Sequence, residues 1–188
     1  MNVEYLAKTV VTACVKENVD YMIAGAFAFG IYGIPRSTKD VDIVVSVTDT
    51  SLIERVITRL ENKVIFGAQV QFDTLTWGKR HVGKMIGQPQ LQVELFELFD
   101  DPFVIEQFNR KVSLYSPQIE MELWTPTAED VLIQKLRWAR DKDLTDALDI
   151  LVVQEPKNLD MEYIRKWCLE HNSLQRLEDT LAKIPEGL

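Results

Sequence analysis

The sequence predicts an α+β fold with a C-terminal helical part. Strand and helix patterns alternate up to about residue 116, and from Thr127 onward every pattern is helical. There is no internal repeat and no low-complexity segment, which excludes solenoid and fibrous arrangements. The 188 residues suit one compact domain or one with a small appendage. The expected division is a core over 1–116 and a helical part over 117–188 packed on it.

Taken in order, residues 3–17 carry apolar side chains at helical spacing. Tyr21–Ala24 is a short apolar strand ended by Gly25, and Ala26–Tyr32 is a short helix closed by Gly33 and Pro35. Val41–Val47 is a β-branched run and reads as a buried strand. Ser51–Leu60 reads as a helix with Ser51 as its N-cap. A meander follows: Val70–Trp77, a turn at Gly78-Lys79, Arg80–Ile86, a turn through Gly87–Gln90, then Leu91–Phe99. Asp101-Pro102 opens another helix, and the C-terminal helices fall near 128–140, 143–153, 160–170 and 173–184.

Composition narrows the chemistry. No apolar run approaches the ~18 residues of a membrane span, and the first twenty residues lack the basic flank and cleavage site of a signal peptide. A cytoplasmic protein with no membrane partner is expected. Cys14 and Cys168 stand far apart and read as small core residues. With His81 and His171 they match no zinc-ligand spacing, so any metal chemistry must be carboxylate chemistry. The net charge of −8 argues against broad binding to a nucleic-acid duplex. Trp77, Trp124, Trp138 and Trp167 read as core fillers rather than base-stacking platforms.

The most informative stretch runs from Ala24-Gly25-Ala26-Phe27 to Arg36-Ser37-Thr38-Lys39-Asp40-Val41-Asp42. Side chains two apart on a strand share a face, so Asp40 and Asp42 project together at the start of a buried strand. Two such carboxylates repel unless a cation lies between them, and oxygen-only ligands suit Mg2+ or Mn2+. Taken alone, the pair reads as an ordinary polar strand entrance. Gly25 marks a strand-to-helix junction, where backbone N–H groups and the helix dipole can face an anion. In Leu91-Gln92-Val93-Glu94-Leu95 the apolar residues share one face, and Glu94 lies on the other, where a third ligand can come from. Glu97 falls on the apolar side or beyond the strand.

Gly25-Ala26, Asp40-Val41-Asp42 and Val93-Glu94-Leu95 resemble, in order and spacing, the motifs of the nucleotidyltransferase superfamily. Arg36-x-Thr38-x-Asp40-x-Asp42 resembles its AbiEii-like, minimal nucleotidyltransferase branch. The resemblance covers roughly residues 20–150 and implies a mixed sheet flanked by helices. Ala26 stands where the family has a second Gly or Ser; a phosphate can still approach it, but a hydroxyl contact is lost.

The resemblance implies transfer of a nucleoside monophosphate from a nucleoside triphosphate to an acceptor hydroxyl. Mg2+ or Mn2+ would be held by Asp40, Asp42 and Glu94, or Glu94 would act as general base. Gly25, Ala26, Arg36, Thr38 and Lys135 would contact the nucleotide. The acceptor stays open between tRNA, protein and small molecule. A toxin role in a toxin–antitoxin or phage-defence pair, with a cognate antitoxin, is among those the family includes. The alternatives are a catalytically silent nucleotide-binding regulatory module and a metal-dependent phosphohydrolase.

Lys135 carries a separate signal. Thr127 is a good N-cap with Asp130 three residues on, and the helix that follows places Ala128, Val131, Leu132, Leu136 and Ala139 on one face. Lys135 falls in the middle of it. Such a lysine snorkels or finds anionic partners. The family pattern extends to Lys135-Leu136, Arg140, Lys142-Asp143 and Asp146, which implies that Lys135 meets a phosphate. Asp143, Asp146 and Asp149 otherwise read as a solvated helix face.

Overall fold

The computed structural model describes residues 2–46, 50–73 and 78–185. The chain divides into two compact units, Met1–Phe27 with Ser37–Thr125, and Ala28–Arg36 with Pro126–Leu188. The division expected at residue 117 falls between the two strands of one hairpin, both in the first unit.

The first unit is built on a six-stranded mixed sheet with order β1-β2-β6-β5-β3, β4 also pairing with β5. These strands are β1 Tyr21–Ile23, β2 Asp40–Val45, β3 Val64–Phe66, β4 Gln71–Asp73, β5 Gly78–Met85 and β6 Gln88–Glu97. β2 and β6 are parallel, and every other pair in the sheet is antiparallel. Val41, Ile43, Val45, Val93 and Leu95 are fully buried on one face. That face packs with α1 (Val3–Lys16) and α3 (Thr50–Leu60) through Leu6, Val10, Cys14, Ile53, Val56 and Leu60. Asn2 caps α1 by accepting from the Tyr5 N–H at 3.0 Å. Alternation leaves Asp40, Asp42, Gln92 and Glu94 half-buried on the other face. α4 (Pro102–Arg110), capped by Asp101 on the N–H groups of Phe103 and Val104, and the hairpin of β7 (Val112–Ser116) and β8 (Met121–Thr125) complete the unit.

The second unit holds α5 (Ala128–Trp138), α6 (Asp141–Gln154), a 3-10 turn at Pro156–Asn158, α7 (Met161–Glu170) and α8 (Leu174–Leu181). α2 (Gly25–Tyr32) starts in the first unit and ends in the second. Thr127 caps α5, its Oγ1 accepting from the Asp130 N–H at 3.4 Å and donating to Asp130 Oδ2 at 3.0 Å. Ala139 ends the helix in the left-handed region (φ 54°). Among the described residues no helix is long and apolar enough to cross a membrane.

Several expectations are corrected. Ser51 lies inside α3, which begins at Thr50, so it is not the N-cap. Gly78 and Lys79 belong to β5, paired with Asp73 and Phe72, rather than to a turn. The turn after β5 is tighter than expected, with Met85 opposite Gln88 and Gly87 at φ 78°. Pro89 is admitted to β6 because the register shifts at Lys84/Met85, where a missing N–H costs little. β3, β7 and β8 carry no period long enough to be read beforehand. Trp124 is 41% exposed, and Trp138 and Trp167 are half-buried. Trp77 lies outside the described residues, as do the last residues of the expected strands Val41–Val47 and Val70–Trp77. Cys14 and Cys168 are free and buried, and burial pushes the Cys14 thiol up to about 12.

Candidate active site

The parallel pairing of β2 and β6 sets Asp40 opposite Gln92 and Asp42 opposite Glu94. Asp42 and Glu94 are therefore neighbours on one face of the sheet. Thr38 fixes the entrance to β2: its Oγ1 accepts from the Asp40 N–H at 3.2 Å and lies 3.3 Å from the Asp40 carbonyl. The Lys39 carbonyl accepts from the Gln92 N–H at 2.9 Å, which keeps β6 in register at the same end.

Each carboxylate has a distinct neighbour. Gly25, the first residue of α2, adopts φ +60°, and a Cβ built there would lie 1.8 Å from Asp42 Oδ2. Only glycine combines that backbone angle with so close an approach. The Asp42 carbonyl accepts from the Ala24 N–H at 2.8 Å, tying the β1–α2 junction to β2. Half-buried Ala26 follows Gly25 in the first turn of α2.

Glu94 is bonded from the other side. Arg80 Nη1 donates to Glu94 Oε2 at 2.8 Å, and Arg80 Nη2 donates to Gln71 Oε1 at 3.3 Å. Val82 is the β5 residue opposite Glu94, so Arg80, two residues earlier, shares its face. The sequence reading missed Arg80. Its signal was the alternation Arg80-His81-Val82, which puts an arginine on the polar face one strand from Glu94 once β5 and β6 are paired.

Glu97 faces the other way, opposite Val45, and His81 Nε2 lies 2.9 Å from its Oε1. A cavity of about 390 Å³ on that side is lined by Ile53, Lys79, His81 and Glu97 and does not include Asp40, Asp42 or Glu94.

In the second unit, Lys135 is buried with its Nζ 2.6 Å from Asp146 Oδ2 and 3.3 Å from Asp143 Oδ1. Arg36 donates through Nε and Nη2 to both Asp146 oxygens, at 3.1 and 3.2 Å. Arg140 donates likewise to Asp143, at 2.5 and 3.1 Å. Burial would raise the Asp143 carboxyl, but Arg140 and Lys135 outweigh it and hold the group below its ordinary value. Asp143 and Asp146 are thus buried ion-pair partners, which rules out the alternative reading of them as a solvated helix face. The charge-bearing pattern Lys135…Arg140…Asp143…Asp146 is one three-cation, two-carboxylate cluster that includes Arg36.

A family model described as "Nucleotidyltransferase of unknown function (DUF6036)" matches residues 7–183. The chain belongs to this nucleotidyltransferase family. None of the curated proteins matches it. Among solved structures it is similar to an antigenic nucleotidyltransferase-like protein from Paracoccidioides brasiliensis, at 18% identity and TM-score 0.60 over 97% of this chain and 93% of that one. It is also similar to ANT(2'')-Ia in complex with adenylyl-2''-tobramycin, at 10% identity and TM-score 0.61 over 90% of this chain and 97% of that one. JHP933 from Helicobacter pylori matches at 16% identity and TM-score 0.54, over 95% and 79% of the two chains. At these identities the likeness establishes the nucleotidyltransferase fold.

The donor chemistry of this nucleotidyltransferase fits a hard divalent cation. Asp40 and Asp42 offer carboxylate oxygens on one strand face, and Mg2+ is commonly held by one or two carboxylates plus substrate phosphates. Among the described residues no group of three His, Cys, Asp or Glu side chains is assembled to hold a metal. The register brings Glu94 beside Asp42, but its carboxylate is bonded to Arg80.

Proposed function

We propose that this chain is a metal-dependent nucleotidyltransferase that moves a nucleoside monophosphate from a nucleoside triphosphate to an acceptor hydroxyl. The observation that carries the proposal is the pairing of Asp42 with Glu94 across parallel strands, with Gly25 seated against the Asp42 carboxylate. Asp40 and Asp42 would hold Mg2+ or Mn2+. The ion would neutralise triphosphate charge and polarise the α-phosphoryl oxygens. Thr38 holds the strand entrance through the bond its Oγ1 accepts from the Asp40 N–H. Backbone N–H groups at Gly25 and Ala26, at the positive end of α2, would face the phosphates.

The acceptor oxygen attacks the α-phosphorus while the bond to the bridging oxygen breaks and pyrophosphate leaves. Glu94, freed from Arg80, would take the proton of the acceptor hydroxyl or serve as a third metal ligand. Arg36 and Lys135 are assigned a supporting role rather than direct phosphate contact, since Asp146 engages both. A hydroxylic small molecule is the favoured acceptor, because ANT(2'')-Ia is known with an adenylylated aminoglycoside and a net charge of −8 weighs against a large RNA. A toxin role in an AbiEii-like toxin–antitoxin pair rests on the Arg36-to-Asp42 string and is tested by whether a cognate antitoxin binds the chain.

Incubation with each nucleoside triphosphate labelled at the α-phosphate tests the reaction. Label on an acceptor with release of pyrophosphate supports transfer. Free labelled monophosphate would identify a phosphohydrolase, and binding without turnover a silent module.

A further inference from the structure

We propose that Arg80 is the resident counter-ion of the carboxylate site and competes with the divalent cation for Glu94. The inference rests on the nucleotidyltransferase reading above and adds a residue that reading does not require. Its basis is geometric. Asp42 and Glu94 are in register on adjacent strands, where two carboxylates repel. The Arg80 guanidinium occupies Glu94 at 2.8 Å and is steadied by Gln71 at 3.3 Å. Both side chains are largely shielded, at 27% and 18% exposure, so this charge-assisted bond is little screened by solvent.

A cation drawn to Glu94 Oε2 competes with the Arg80 Nη1 that is already bonded to it. The site therefore binds metal weakly until a triphosphate supplies further oxygen ligands for the ion and an anion for the released guanidinium. Arg80 acts through Glu94, as a positioning residue rather than a catalytic one.

The test is Mn2+ binding without nucleotide, read from loss of the free-ion paramagnetic resonance signal, in wild type, Arg80→Gln, Glu94→Gln and the double variant. Competition predicts about tenfold tighter Mn2+ in Arg80→Gln, the scale of one charge-assisted hydrogen bond. It predicts no further gain when Arg80→Gln is added to Glu94→Gln, because the two positions act as one pair. Equal tightening in both backgrounds would mean that Arg80 merely repels cations from a distance, and the proposal fails. So does unchanged affinity in Arg80→Gln. If Arg80→Gln does not fold, the Arg80 side-chain NMR resonance is followed in wild type during Mg2+ titration; a resonance that does not move as metal binds overturns the proposal. Metal binding that depends on Asp40 and Asp42 but not on Arg80 removes this inference alone. No metal binding to any form, with or without nucleotide, removes the parent reading and this one together.

Discussion

Asp42 and Glu94 face each other across parallel strands, yet their carboxylates meet different partners: Asp42 lies against the Gly25 α-carbon and Glu94 is bonded by Arg80. The sheet thus supplies the spacing of a carboxylate site, and the turn after β1 and the neighbouring strand β5 decide where each oxygen goes. Local backbone chemistry at Gly25 and one ion pair at Arg80 control the same face.

Gly25→Ala follows from this. The methyl would meet Asp42 Oδ2 at 1.8 Å in a backbone region that side chains resist. The variant is expected to lose about 1–3 kcal/mol of stability and to bind Mg2+–nucleotide more weakly, because Asp42 must move. A thermal melt and a nucleotide titration on the same preparation check both. Wild-type behaviour in each would mean that the close approach has no role.

Lys135→Met tests the buried cluster. Asp143 and Asp146 are buried against its ammonium. Removing one member of a buried pair strands the other, and the expected cost is about 3 kcal/mol. Arg36 and Arg140 still partner the two aspartates, which keeps the loss at the lower end of the usual range. Urea unfolding measures it. A variant as stable as wild type would leave Lys135 available for the phosphate role.

Most helices, the strand β2 and the carboxylate pair were legible in the sequence because each rests on a local rule. Helices announced themselves through caps at Asp101 and Thr127, β2 through its β-branched run, and Asp40 with Asp42 through the period of a strand. Glu94 was placed on the correct face by the same period. What could not be read depends on pairing. Arg80 meets Glu94 only once β5 and β6 are in register, and Lys135 meets Asp146 only once α5 folds back on α6. The alternative of a solvated face for Asp143 and Asp146 stayed open for the same reason: charges at helical spacing look solvated until their partners are known. β3, with three residues, is too short for any period.

Acid should loosen the helical unit. Asp143 is held below its ordinary value, so its contribution is complete above the unfolded carboxylate range and is lost as pH falls through the depressed folded value. Unfolding free energy followed from about pH 7 to about pH 3 should decline on the acid side, and Asp143→Asn should flatten that decline. An equal acid slope in both proteins would place the sensitive group elsewhere.

The most direct test of the central claim is calorimetric titration of wild type, Asp40→Asn and Asp42→Asn with each nucleoside triphosphate in excess Mg2+. The substitutions keep side-chain shape and remove the negative charge. If these aspartates hold the metal–nucleotide, affinity falls at least about tenfold in each variant while the melting temperature stays near that of wild type. Unchanged Mg2+–nucleotide affinity in both variants would contradict the assignment of this sheet face as the nucleotidyl-transfer site.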